Sequence, residues 1–174
     1  ASPNGNGNAL WKRVTDALDN YKDSYTDVRE REIARTDHGP NGAIWTAFRY
    51  NGIGELIDVT DHGGNVTSYT YDQLGRKLTY DHPDGGLTEF TYDAAGNLLT
   101  KNTTNLREMF PDGGPIKYSY DYQRVDTINY PRNYMNQVVY VYGKNTDTTF
   151  HRVGRVKVQL DGSGGQEFFY GPLG

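Results

Sequence analysis

Cysteine is absent from the 174 residues, and methionine and tryptophan occur only twice each. Without cysteine no disulfide scaffold can form. Aliphatic residues are also scarce: the apolar fraction is 35%, against about 45–50% in ordinary globular chains. A helical bundle packed on leucine and alanine needs more than that. No run of about 18 consecutive apolar residues occurs, so no helical membrane span is encoded. Charge of one sign never clusters. Lys plus Arg is 18, Asp plus Glu is 22, and the net charge of −4 is spread along the chain. The basic stripe that marks a nucleic-acid partner is missing. No basic n-region followed by an apolar stretch opens the sequence, so no classical signal peptide is expected in this segment.

What is abundant is glycine, with 21 residues, and tyrosine, with 15. A disordered chain would lack the aromatics. Glycine-punctuated, tyrosine-rich sequence reads as short strands joined by tight turns.

These residues recur with a period. Tyr50-Asn51-Gly52-Ile53-Gly54, Tyr71-Asp72-Gln73-Leu74-Gly75 and Tyr92-Asp93-Ala94-Ala95-Gly96 stand 21 residues apart. The second half of each unit matches too, Gly64-Asn65-Val66-Thr67 aligning with Gly85-Gly86-Leu87-Thr88. Weaker copies lie at Tyr25-Thr26-Asp27, where Glu30 stands near the glycine position, at Tyr120-Asp121, and at Tyr142-Gly143 and Tyr170-Gly171, where Gly replaces Asp. The interval from Tyr92 to Tyr120 is 28, which places a seven-residue insertion around Thr103–Met109. An Asp opening a turn can accept hydrogen bonds from the backbone two residues on. A Gly near its end supplies the positive φ that closes a hairpin with the correct twist. Gly54, Gly64, Gly75, Gly85, Gly96 and Gly113 are therefore expected at turn corners. Between turns, Val66–Tyr71 and Leu87–Tyr92 alternate with period two and are rich in β-branched and aromatic residues, as strands prefer.

Residues 9–22 admit two readings. Leu10, Val14, Ala17, Leu18 and Tyr21 follow helical spacing behind Asn8, yet the same stretch also reads as strand, turn, strand in phase with the downstream repeats. The strand reading is preferred. The expected organisation is a flexible lead-in over 1–8, degenerate first repeats over 9–42, and one continuous repeat array over 43–174. Tyr170-Gly171-Pro172-Leu173-Gly174 reads as a cut inside the pattern.

Tyr71-Asp72-Gln73-Leu74-Gly75-Arg76, Pro83-Asp84-Gly85-Gly86 and Tyr92-Asp93-Ala94-Ala95-Gly96-Asn97 resemble the YD repeats of RHS proteins. The resemblance extends to Tyr120-Asp121-Tyr122 and to Asp161-Gly162-Ser163-Gly164-Gly165 ahead of Tyr170, and it covers nearly the whole chain. Departures are Glu30, Asn51, Gly143 and Gly171. The resemblance implies an all-β fold: tandem antiparallel β-hairpins forming a curved, spiralling sheet, a section of the hollow shell found in bacterial RHS toxins, toxin complexes and teneurins. It implies a structural, non-enzymatic role, flanking RHS repeats and an enclosed C-terminal toxin cargo as partners, and secretion or extracellular delivery from bacteria in cell–cell competition. The signature residues are then Tyr50, Gly54, Tyr71, Asp72, Gly75, Tyr92, Asp93, Gly96, Tyr120, Asp121 and Tyr170. In-register tyrosines would stack between neighbouring turns of the spiral and hold them together. The scarcity of aliphatics suits a single-layer wall. Its open edges would leave an isolated segment marginal or self-associating.

Candidate chemistry is thin beside this. Asp precedes His38, His62 and His82, but no His-x-x-x-His or cysteine spacing supports a closed metal site. Asp19 with Asp23, or Asp81 with Asp84, has the residue types for acid–base work, and both pairs read more simply as turn formers. Gly162-Ser163-Gly164 reads as a turn, not a nucleophile elbow. Asn4-Gly5-Asn6-Gly7-Asn8 lacks the Lys-Ser/Thr ending of a phosphate loop. The Asp-Pro dipeptide of RHS self-cleavage is absent. No catalytic residue, cofactor or metal is expected. The alternative is a carbohydrate-binding or adhesion module, in which Trp11, Trp45 and the tyrosines would present half-exposed rings to a glycan.

Overall fold

A computed structural model describes residues 9–172 except 113, 132 and 133. The sequence expectations for the lead-in, for Gly113 and for Leu173 and Gly174 lie outside the described residues. The chain divides into two compact units, residues 1–86 and 87–174.

The first unit holds β1 (Leu10–Thr15), β2 (Tyr21–Thr26), β3 (Glu32–Gly39), β4 (Gly42–Tyr50), β5 (Leu56–Thr60), β6 (Val66–Tyr71) and β7 (Lys77–His82). Each pairs antiparallel with its neighbour in sequence. The second unit repeats the scheme with β8 (Gly86–Tyr92), β9 (Leu98–Thr103), β10 (Ile116–Asp121), β11 (Arg124–Asn129), β12 (Val138–Tyr142), β13 (Val156–Asp161) and β14 (Gly164–Glu167). The fold is all-β, built from antiparallel hairpins in sequence order. Residues 9–22 form β1, a turn and β2 rather than a helix.

Among the described residues one α-helix interrupts the pattern: α1 (Thr104–Met109) fills the seven-residue insertion. Its N-cap is Thr103, whose hydroxyl accepts from the Leu106 N–H. Arg107 fixes it to β8, donating to the Leu87 carbonyl and the Glu89 carboxylate. Among the described residues no helix is long and apolar enough to cross a membrane.

Core is nearly absent. Among the described residues the buried apolar side chains are Ile33 and Ala34, and no large side chain is fully buried. This is the physical counterpart of the missing aliphatics. Cohesion comes instead from turns and cross-strand pairs. Thr70 and Thr79 face each other with hydroxyls 2.6 Å apart, and Thr91 and Thr100 repeat that contact one period later.

Successive strands reverse direction, so the turns alternate between two rims. Turns 27–31, 51–55 and 72–76 close one rim of the first unit, and turns 16–20 and 61–65 lie on the other. Two strands plus two turns make one period, so every Tyr-Asp turn falls on the same rim of its unit, here called the signature rim. Five-residue turns share one closure. The first residue donates its N–H to the fifth residue's carbonyl, and the fourth donates to the first, as in Asp72 N–H to Arg76 O and Gly75 N–H to Asp72 O. The fourth residue has positive φ: +101° at Gly54, +77° at Gly75, +93° at Gly96. Glu30 and Asp19 occupy the same position at +61° to +62°. A non-glycine residue there costs about 1 kcal/mol or more. Glu30→Gly should therefore raise stability by about 0.5 kcal/mol after the added freedom of the unfolded chain is set against it. Gly75→Ala should lower stability by about 1 kcal/mol. Thermal unfolding of the two variants reads the opposite signs.

One corner differs from expectation. In the turn after β7 the positive φ belongs to Gly86, at +65°, not Gly85. The strand begins at Gly86, one residue earlier than the alignment of Gly64 with Gly85 implies.

Candidate functional site

On the signature rim each turn is tied to itself by its first side chain. Asp72 Oδ1 accepts from the N–H groups of Leu74 and Arg76, and Oδ2 accepts from Arg76 Nε at 2.6 Å. Asp93 does the same with Asn97, through the backbone N–H at 2.8 Å and the side-chain amide at 2.8 Å. Asp27 pairs likewise with Arg31. Asn51, a departure in sequence, is a compensated one. Its Oδ1 accepts from the Ile53, Gly54 and Glu55 N–H groups, while its amide donates to Glu55 Oε2 at 2.6 Å. The donor and acceptor have exchanged places across the turn. Asp61 with Asn65 and Asp16 with Asn20 build the same device on the opposite rim without the tyrosine.

The tyrosines link one turn to the one before. Tyr71 Oη donates to the Leu56 carbonyl, just past the 51–55 turn, at 2.8 Å. Tyr50 donates to Glu32, just past turn 27–31, at 2.9 Å. In the second unit Tyr120 reaches Leu98, Tyr142 reaches Val125 and Tyr170 reaches Val156, each at 2.8 Å. The basic residue closing the earlier turn covers the ring: Arg31 lies 4.7 Å from the Tyr50 centroid, Arg124 4.5 Å from Tyr142, and Arg155 5.0 Å from Tyr170. At these five positions the link between successive hairpin turns runs through the hydroxyl.

Two signature copies are remodelled. Asp121 opens no five-residue turn. It pairs with Arg124 across a two-residue loop, in which Tyr122 takes φ +59° in the absence of glycine. At Gly143 a Cβ would meet the Arg152 carbonyl oxygen at 2.2 Å, because the following loop folds back to bridge Gly143 with Val153. That loop has no room for an aspartate, yet Tyr142 keeps its hydrogen bond.

These contacts set pH behaviour. The carboxyls of Asp16, Asp61 and Asp93 are held below the usual value, first by the side-chain amides of Asn20, Asn65 and Asn97. Asp27 is lowered first by the Arg31 side chain, and Asp72 first by the Arg76 N–H. A depressed folded-state pKa gives stability that is present above about pH 4 and lost as pH falls through the folded value. Burial raises Tyr50, Tyr71, Tyr120 and Tyr142 above 10.0. That contribution is present below about pH 10 and lost as pH rises through the folded values. Melting temperature against pH should show a neutral plateau that falls on both sides.

A second cluster lies on one face of β1–β3. Register sets Arg13 opposite Asp23 and Tyr21 opposite His38. Asp23 is buried and accepts from Arg13 Nε at 2.7 Å and Nη2 at 2.8 Å. His38 Nε2 lies 3.3 Å from the same carboxylate, stacked 4.1 Å from the Tyr21 ring. The Arg13 guanidinium holds the Asp23 carboxyl low. A cleft of about 390 Å³ opens beside Tyr21 and His38, walled by Leu18, Asn20 and Pro40. Asp19 lines the same cleft, while the carboxylate 3.3 Å from His38 is Asp23, which Arg13 also engages. Asp81 and Asp84 are exposed, and Asp84 lines a shallow cleft with Asp61 and His82 rather than with Asp81. His62 packs edge-on against Trp45, and His82 Nδ1 accepts from the Asp84 N–H. Trp11 is 56% exposed and Trp45 is half-buried. Ser163 donates to Asp161 within the β13–β14 turn. Among the described residues no group of three or more His, Cys, Asp or Glu could hold a metal ion.

Turn, ring and hydroxyl together define a class: a tandem β-hairpin repeat held at one rim by tyrosines that reach back one turn. The RHS Repeat family model matches residues 50–87. Two solved structures share the fold. One is the Photorhabdus luminescens Tc holotoxin pore, at TM-score 0.63 and 16% identity over 89% of this chain. The other is the TcdB2-TccC3 complex without its hypervariable C-terminal region, at TM-score 0.61 and 17% identity over 81%. The chain spans 8% of the length of each. No curated protein matches.

Proposed function

We propose that this chain is a stretch of wall in an RHS shell, without catalysis of its own, standing among flanking repeats of a longer protein. In that protein the shell encloses a C-terminal toxin domain during export from a bacterium. The observation that carries the reading is the hydroxyl link from Tyr50, Tyr71, Tyr120, Tyr142 and Tyr170 to the turn before each. It fastens repeat to repeat without a core, so the sheet extends by adding units, as a large enclosing wall requires. On this reading Tyr50, Tyr71, Tyr92, Tyr120 and Tyr170, with Asp72, Asp93, Asp121 and the turn glycines Gly54, Gly75 and Gly96, form a structural signature. Likeness in fold to TcdB2-TccC3, solved without its hypervariable C-terminal region, supports a repeat wall distinct from a C-terminal domain. Limited proteolysis of the longer protein tests it. The C-terminal domain should resist cleavage in the intact protein and be cut readily when expressed alone. Equal cleavage in both forms would overturn enclosure.

A further inference from the structure

Two asparagines among the described residues precede glycine, in Asn41-Gly42 and Asn51-Gly52. In this dipeptide the glycine nitrogen, with no side chain beside it, has the freest approach to the asparagine carboxamide. Both glycines are open: beyond their chain neighbours, no atom lies within 4 Å of where a Cβ would stand. The asparagines differ. Asn51 opens a signature turn, and its carboxamide is held at both ends. Oδ1 accepts from the Ile53, Gly54 and Glu55 N–H groups, and Nδ2 donates to Glu55 Oε2. Arg29 Nη1 donates to the Gly52 carbonyl at 3.0 Å, which ties Gly52 to the preceding turn. Asn41 stands in the two-residue loop between Gly39 and Gly42, the end pair of β3 and β4. It is exposed, and among the described residues no hydrogen bond holds its carboxamide.

We propose that Asn41 is a site of spontaneous deamidation, a modification the chain performs on itself, and that the turn clamp spares Asn51. The Gly42 nitrogen gives its proton to solvent and attacks Asn41 Cγ. An N–Cγ bond forms, the Cγ–Nδ2 bond breaks, and ammonia leaves with a proton taken from solvent. Water then opens the cyclic imide at either carbonyl, giving aspartate or isoaspartate. Water is the only co-reactant, and nothing is oxidised or reduced. Attack requires the carboxamide to turn its carbon toward the next nitrogen. At Asn51 its hydrogen bonds must break first, which slows the step by about tenfold. At Asn41 only the end pair of a hairpin must fray, a low-cost opening. Either product places a carboxylate on the loop whose Gly39, Pro40 and Gly42 wall the cleft beside His38. The same chemistry at Asn51 would set a carboxylate against Glu55, the like-charged pair that the exchanged donor and acceptor of that turn avoid. This inference is independent of toxin enclosure.

Trypsin separates the two sites, because Arg35, Arg49 and Arg76 bound peptides 36–49 and 50–76. The folded protein is held at mildly alkaline pH, sampled over days and digested. Mass spectrometry then follows conversion of amide to acid, with fragment spectra placing the change at Asn41 or Asn51. Asn41 should convert about tenfold faster than Asn51. In concentrated urea the two should convert at comparable rates, because the contrast belongs to the fold. Asn41→Gln should abolish conversion of peptide 36–49. Glu55→Ala should speed Asn51 by about threefold, with Asn41 unchanged in the same sample. Glu55→Gln keeps an acceptor and should leave Asn51 slow. Equal rates in the folded protein, faster conversion at Asn51, the same contrast in urea, or no effect of Glu55→Ala overturns the proposal.

Discussion

Replacing Tyr71 by Ala will lower stability by about 3 kcal/mol, whereas Tyr71→Phe will lower it by about 1 kcal/mol. Tyr71 is half-buried and its hydroxyl donates to the Leu56 carbonyl. Phenylalanine keeps the ring and removes one hydrogen bond, which is worth about 1 kcal/mol. Alanine removes the ring as well. Aromatic-to-alanine changes cost roughly 3–5 kcal/mol when buried, and half-burial places Tyr71 at the low end. Urea unfolding midpoints separate the two effects. Tyr122 is 90% exposed, so Tyr122→Phe is the control and should leave the midpoint unchanged. If Tyr71→Phe matched that control, the hydroxyl link would carry no stability.

The second large effect belongs to Arg13. Its Nε and Nη2 both engage Asp23, whose side chain is 5% exposed while that of Arg13 is 42% exposed. Arg13→Met leaves a buried carboxylate without its strongest partner, a change of the kind that is strongly destabilising. We expect the melting temperature to fall by about 5 °C at pH 7. Asp23→Asn should cost less, because the arginine it frees reaches water. The pH dependence distinguishes this from lost packing. With Arg13 present, the Asp23 carboxyl lies below its ordinary value and contributes stability above about pH 4. Without Arg13, burial dominates and raises it, so the variant gains relative stability as pH falls. The gap between parent and variant should narrow from pH 7 to pH 4. A constant gap would show that the ion pair is not the cause.

The period was legible because the residues that repeat are those a tight turn needs: Asp to open it and Gly to close it at positive φ. Phase agreement with those copies also resolved residues 9–22 as strand, turn, strand, against a helical spacing that Leu10 and Val14 satisfied equally. The helix at Thr104–Met109 was visible as extra length but not as a helix, since six residues with no apolar face carry no period. The hydroxyl links were not legible, because the partner of each tyrosine is a backbone carbonyl, which every residue possesses. A usable signal was present for the turns: the residue four after each Asp or Asn is Arg, Asn or Glu, matched to it as donor or acceptor. Read that way, Asn51 with Glu55 would have passed as a faithful copy. The dipeptide Asp37-His38, which the sequence did not support as a metal site, also hides the partner of His38. Neighbours on a strand face opposite sides, and the carboxylate near His38 is Asp23, brought there by register from the next strand.

α1 sits between β9 and β10, at the end of the second unit away from its signature turns. The tyrosines on either side of it kept their places in the pattern, and Tyr120 still bonds Leu98 across the lengthened connection. That rim works as a splice port. Foreign sequence can enter at such a connection, or at the exposed Pro40-Asn41 loop of the first unit, without disturbing any fastening between repeats. An epitope or fluorophore grafted at Pro40-Asn41 would sit away from the tyrosine links, whereas α1 is itself tied to β8 by Arg107.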